Sequence, residues 1–194
     1  ACDAPATFRG SRAKGSSDNR VNGDDDRRTE GRRMDIYGRD TLSVDALWAL
    51  YQTIQAHPNI WRVESFPQEA TACDFKRVKQ RSDYFGFSYA GNTTGQAVVA
   101  GEWVAEIRLF IGNEPKDLSE AAFKRDRPKL RTLEADYRKR FEQELGAPRL
   151  TSGNHIHENN GLRVRLLPGQ APAWVVLSSL EVVAKLPQDH FASR

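Results

Sequence analysis

Sulfur is scarce in this chain: two cysteines and one methionine in 194 residues. Cys2 and Cys73 are too far apart for a CxxC redox pair, and no cluster has zinc-ligand spacing. The chain also lacks the phosphate-cradling patterns GxGxxG and GxxxxGK[ST], so nothing local supports nucleotide binding. No GxSxG elbow presents a nucleophilic serine. No apolar run reaches the roughly 18 residues that span a bilayer as a helix. Finally, the charge has no strong sign where it matters. The net charge is +3, but residues 1–33 carry eight basic and six acidic side chains, leaving about +1 for residues 34–194. A near-neutral folded part lacks the concentrated positive charge behind phosphate-backbone affinity, which argues against a nucleic-acid partner.

What is present is a globular composition: 39% hydrophobic, with four Trp, nine Phe and five Tyr to bury. Residues 1–33 are the exception, rich in Gly, Ser, Asp, Asn and Arg with Phe8 as their only aromatic. Such a stretch cannot offset its ordering entropy by burial and reads as a flexible polar tether. Residues 34–194 then read as one domain, opening on a short strand at Met34–Tyr37.

Thr41 or Ser43 supplies helix-start chemistry, and Val44, Leu47, Trp48, Tyr51 and Ile54 recur at helical spacing, predicting a helix over 43–57 ended by Pro58. The period then shifts to two. Trp61 and Val63 alternate with charged residues, a strand is expected at about 71–79, and Phe85, Phe87 and Tyr89 share one face. Trp103, Ala105, Ile107, Leu109 and Ile111 alternate with Glu102, Val104, Glu106 and Arg108, which predicts a polar face opposite an apolar one. Over 118–145 the helical period returns. Pro128 is expected to divide it into a short helix and a longer one capped by Asp126, with Leu130, Leu133, Tyr137, Phe141 and Leu145 as its stripe. Glu134–Arg138 and Asp136–Arg140 are spaced as i,i+4 pairs on its solvated side. Leu162, Val164 and Leu166 alternate with Arg163 and Arg165, and a long strand is expected over 174–186. The fold class is therefore α+β: a largely antiparallel sheet with two main helices packed on one face. Helix followed by meander occurs twice, an order that allows a pseudo-two-fold arrangement.

Candidate chemistry is thin. His155 and His157 lie two apart, so in a strand both imidazoles project to one face and can reach one metal ion. His57 and His190 are the other imidazoles that folding can bring near. Asp18–Asp24 resembles a calcium loop but places Arg20 where an oxygen ligand belongs, and is rejected. Cys73 beside Asp74 reads as a buried thiol rather than a nucleophile. Its pairing stays open: a bond to Cys2 or a free thiol. Asn92-Thr93-Thr94 fits a glycosylation sequon. Trp48, Tyr51, Phe85, Phe87 and Tyr89 are expected in the core, leaving Trp61 and Trp103 for a protein-facing patch.

Ala1-Cys2 followed by a polar tail resembles the processing site of a bacterial lipoprotein, where a small residue precedes the cysteine that receives lipid. The resemblance implies lipidation of Cys2, a tether over 1–33 and attachment on the periplasmic side of a bacterial membrane. With no catalytic constellation or cofactor motif, the expected role is non-enzymatic binding of another protein of the envelope. A secretion or envelope-machine subunit, an inhibitor and a toxin-immunity protein all fit that description. The alternative is a metal-dependent enzyme or metal binder using His155 and His157.

Overall fold

A computed structural model describes residues 35–36, 39–90, 93–111, 119–151, 154–167 and 174–187. Cys2, the tether, the Asp18–Asp24 segment, Asn92 and His190 lie outside the described residues. The fold is α+β, as the periodicities indicate.

The described chain begins with a two-stranded antiparallel ribbon, β1 (Asp35–Ile36) and β2 (Arg39–Asp40). Helix α1 (Val44–Ala56) follows, capped by Ser43, whose hydroxyl accepts from the Ala46 N–H at 3.1 Å. A 3₁₀ turn (Pro58–Trp61) then leads to the short α2 (Phe66–Ala72). Two four-stranded meanders complete the domain. The first is β3 (Lys76–Gln80), β4 (Tyr84–Tyr89), β5 (Thr93–Ala100) and β6 (Trp103–Phe110). Helix α3 (Glu120–Leu145) introduces the second: β7 (Arg149–Thr151), β8 (Asn154–Asn159), β9 (Leu162–Leu167) and β10 (Trp174–Ser179), closed by α4 (Leu180–Lys185).

All eight of these strands form one antiparallel sheet in the order β3-β4-β5-β6-β10-β9-β8-β7. The order is symmetric about the central β6–β10 pair, so a helix-led meander does occur twice. Each edge is blunted in its own way. Strand β3 carries Lys76, Arg77 and Lys79, with a register shift between Lys76 and Lys79 and Arg77 at φ 54°. Strand β7 is three residues long.

The helices bury their apolar stripes against one sheet face. Leu47, Leu50, Tyr51 and Ile54 of α1 and Leu130, Leu133, Tyr137 and Phe141 of α3 share a core with Ile107, Leu109, Val164, Val175 and Leu177. Aromatic pairs organise it. Trp48 stacks on Tyr51 at 5.1 Å, Tyr51 meets Phe141 edge-on at 5.8 Å, and Phe75 stacks on Phe87 at 4.1 Å. Each pair contributes about 0.5–1.5 kcal/mol beyond its buried area. Phe85, Phe87 and Tyr89 point into this core together, as their alternation predicts.

Four local expectations are corrected. Pro128 does not divide the second helix: α3 runs unbroken from the Ser119 cap, whose hydroxyl accepts from Ala122 N–H at 3.2 Å. Asp126 is therefore no cap but a buried helical carboxylate held by Arg125 at 2.7 Å and Lys129 at 3.0 Å. The strand expected over 71–79 begins only at Lys76, because Pro67, harmless in a first helical turn, lets α2 run to Ala72. The long strand over 174–186 ends at Ser179, which caps α4 by accepting from Val182 N–H at 3.4 Å. Trp61 and Val63 belong to no strand: Trp61 closes the 3₁₀ turn, and Arg62 makes a single bridge to Trp103.

The face expected to be polar is also more buried than alternation suggests. Glu106 is 3% exposed and is bracketed by Arg108, 2.5 Å away, and by Arg165. Arg108, Val176, Arg165 and Ile156 lie in one cross-strand row beside it, so long guanidinium side chains cover the carboxylate. Burial lowers the pKa of Arg165, and the Glu106 charge opposes that shift.

Candidate functional site: an aromatic-floored cleft and a buried histidine pair

The two tryptophans left over by the sequence pattern meet in space. At one end of the sheet, Trp61 and Trp103 line a cleft of about 340 Å³. Six chain segments build it: the end of α1, the 3₁₀ turn with Arg62, the start of β6, the β8–β9 turn, the end of β10, and α4. Its floor is apolar and closely packed, with Ile54, Leu162 and Val182 all buried. Its rim is polar: Gln55, Asn59, Arg62, Asn160 and Glu181.

Local chemistry fixes each wall. The β8–β9 turn is Asn160-Gly161, with φ 48° and 79°, the pair of positive angles a two-residue hairpin turn of the primed type needs. The Gly161 carbonyl accepts from Leu180 N–H at 2.8 Å, which ties that turn to the start of α4. On the opposite side Val63 N–H donates to the Glu102 carbonyl at 3.0 Å, holding the 3₁₀ segment against β6. Behind the rim, Gln55 Nε2 donates to the Tyr51 hydroxyl at 3.0 Å, and that hydroxyl donates to the Asn159 carbonyl at 3.3 Å. Burial pushes the Tyr51 pKa up to about 12, so this relay stays protonated.

Trp103 is the centre of a charged cluster. The Arg62 guanidinium lies 3.7 Å from its ring centroid and the Lys185 ammonium 4.4 Å away, both in cation–π range. Each cation also has a carboxylate: Arg62 with Glu102 at 3.1 Å, Lys185 with Glu181 at 2.5 Å. The hydrogen bond from Lys185, followed by its charge, lowers the Glu181 pKa. A second hollow of about 360 Å³ lies among Tyr84, Gly86, Gln96 and Phe110 on β4, β5 and β6.

The histidine pair sits elsewhere. His155 and His157 project from β8 to the α3 side, where His157 lies 6.0 Å from the Phe141 ring and is 3% exposed. Its Nδ1–H donates to the Gly146 carbonyl at 3.1 Å, at the end of α3, which leaves Nε2 with the lone pair. Neither His157 Nε2 nor His155 Nδ1 has a hydrogen-bond partner among the described residues. Burial lowers the pKa of both imidazoles. The Arg138 charge lowers His155 further, while the Gly146 bond and the Glu142 charge partly offset the shift of His157. Among the described residues no group of three or more His, Cys, Asp or Glu side chains is placed to hold a metal ion. His57 is not part of the pair: its Nδ1 is 2.8 Å from Glu69 on α2. Cys73 is a free, buried thiol whose pKa burial and then the Glu69 charge raise to about 11.

The sequence pattern left Trp61 and Trp103 over as candidates for a protein-facing patch; the structure puts both in the lining of this cleft, Trp61 at 5% exposure, and the remaining lining comes from segments with no shared local pattern. The Asn160-Gly161 dipeptide, a residue pair suited to a two-residue hairpin turn, is a local sequence signal of one wall. No family model and no curated protein matches the chain. Among solved structures, it is similar to the DUF4309 family protein YjgB from Bacillus subtilis. The two are 11% identical, with a TM-score of 0.41 over 71% of this chain and 97% of that one. At that score neither fold nor function carries over. Among the described residues no helix is long and apolar enough to cross a membrane.

Proposed function

We propose that this chain is a non-enzymatic protein-binding lipoprotein of a bacterial envelope, held on the periplasmic side of a membrane by lipid on Cys2, and that it engages its partner through the Trp61–Trp103 cleft. The observation that carries the reading is Trp103 itself, a half-buried indole with two cations in contact with its ring beside a cleft with a buried apolar floor. Tryptophan and arginine in partly desolvated pockets supply most of the binding energy of protein interfaces. The walls are tied by backbone hydrogen bonds before any partner arrives, so little ordering cost falls on association.

The test is co-purification of the full chain with the protein encoded beside it in the genome. A complex that survives size-exclusion chromatography, and whose dissociation constant rises at least tenfold in Trp103→Ala, supports the reading. No complex with either neighbouring product sinks it. For the anchor, Cys2→Ala is expected to move the protein from the membrane to the soluble periplasmic fraction.

One observation favours a second reading, metal binding at His155 and His157. His157 has its Nδ1 tautomer fixed by a carbonyl and its Nε2 lone pair unpartnered, the arrangement metal-ligating histidines adopt. Metal content of the wild type against a His155→Ala/His157→Ala double variant decides it, and equal content in both removes it.

A further inference from the structure

The chemistry of the cleft narrows what it takes. Resting on the protein-binding reading above, we infer that the cleft receives a neutral peptide segment, with one aliphatic or aromatic side chain on its floor and the flanking peptide groups on its rim amides.

The floor argues for a side chain. Ile54, Leu162 and Val182 close the cleft from beneath at 0–4% exposure, and the exposed Pro58 beside the half-buried Trp103 gives the apolar surface that a ligand group meets, which suits an apolar side chain. At about 340 Å³ the cleft is near the lower end of ligand sites, roughly 300–1,000 Å³, which suits one side chain and its adjoining peptide groups.

The rim argues for peptide groups. The side-chain amides of Asn59 and Asn160 make no hydrogen bond among the described residues, and Gln55 uses only its N–H toward Tyr51. Each amide offers a donor and an acceptor together, which is the complement of a peptide unit. Neutrality follows from the charges present. Arg62 and Lys185 already face Glu102 and Glu181, so an acidic segment meets carboxylates and a basic one meets cations.

A saccharide is the competing ligand, and the indoles disfavour it. A pyranose ring needs an open aromatic face. Trp61 is 5% exposed, and the Trp103 ring is occupied by two cations and by the core against which it packs.

The test is an NMR titration of the full chain, following the indole N–H signals of Trp61 and Trp103. The probes are N-acetyl dileucine amide, its diaspartate and dilysine counterparts, and chitotriose. The expected result is saturable shifts with dileucine amide alone, weakened at least tenfold in Asn59→Trp, which fills the cleft mouth from an exposed position. An unchanged melting temperature confirms that this variant folds, and Glu181→Trp serves as a second block from the other wall. Preferential shifts with chitotriose or a charged dipeptide overturn the inference, as does a dileucine response unaffected by both variants, or none. A neighbour complex that persists in Asn59→Trp while dileucine amide fails sinks this inference alone. A missing complex with a normal dileucine titration sinks the broader reading alone.

Discussion

His157 Nδ1 donates to the Gly146 carbonyl at 3.1 Å, so the last turn of α3 is fastened to β8 by a neutral imidazole. Burial disfavours the charged form, and the nearby groups are mixed: His155 and Arg138 oppose protonation at this cluster, while Glu142 favours it. Both imidazole pKa values lie below their ordinary 6.5 in the folded state. The unfolded chain therefore binds more protons as pH falls below 6.5, and stability drops until the folded-state values are passed. Urea midpoints measured from about pH 8 to about pH 5 are expected to fall, and the fall is expected to shrink in His157→Gln. A flat profile in the wild type contradicts this.

Gly95 is required by a ring rather than by a turn. A methyl group there would overlap the Phe87 ring and sit 2.9 Å from the Arg108 carbonyl, which cannot yield without moving β6. Phe87 is itself stacked on Phe75 in the core. Gly95→Ala is expected to cost about 1–3 kcal/mol, the range for overpacking a filled core. Chemical denaturation measures it, and a neutral result means that the ring has room to shift.

Removing the Glu106 carboxylate strands two arginines. Arg165 and Arg108 both pair with it in a largely desolvated row. Breaking such a pair costs about 3–5 kcal/mol when fully buried, and less here because the arginine side chains keep 16–20% of their exposure. Glu106→Gln is therefore expected to destabilise by about 1–3 kcal/mol. The combined Glu106→Leu/Arg165→Met variant is expected to recover much of the loss. Equal destabilisation of both variants would show that packing, not the stranded charge, dominates.

Pro128 costs α3 a hydrogen bond at an exposed interior position. Pro128→Ala is expected to raise stability by about 1–3 kcal/mol, since alanine is favoured over proline by ~3 kcal/mol inside a helix. Thermal melting of the variant checks it, and an unchanged melting temperature would mean that the helix is set by its buried stripe alone.

The fold was largely legible because its burial is periodic. The Val44–Ile54 spacing located α1 to within a residue at each end, and Phe85, Phe87 and Tyr89 reported one face of the sheet. Errors came where a local rule met a stronger tertiary one. Pro128 breaks isolated helices, yet Leu130, Leu133, Tyr137 and Phe141 bury enough apolar surface to carry α3 through it. Glu106 and Arg165 look solvated in sequence because their partners lie on different strands, 59 positions apart. The cleft is less legible for the same reason: Trp61, Asn160 and Val182 share no window of sequence, only one end of a sheet.

The blunted margins of that sheet bear on crowding. With Lys76, Arg77 and Lys79 along a bulged edge, a second copy approaching sideways meets like charge and a broken hydrogen-bond ladder. The other margin, β7, offers three residues of template. Raising the local concentration therefore brings copies side by side without fusing their sheets, and each stays a separate unit.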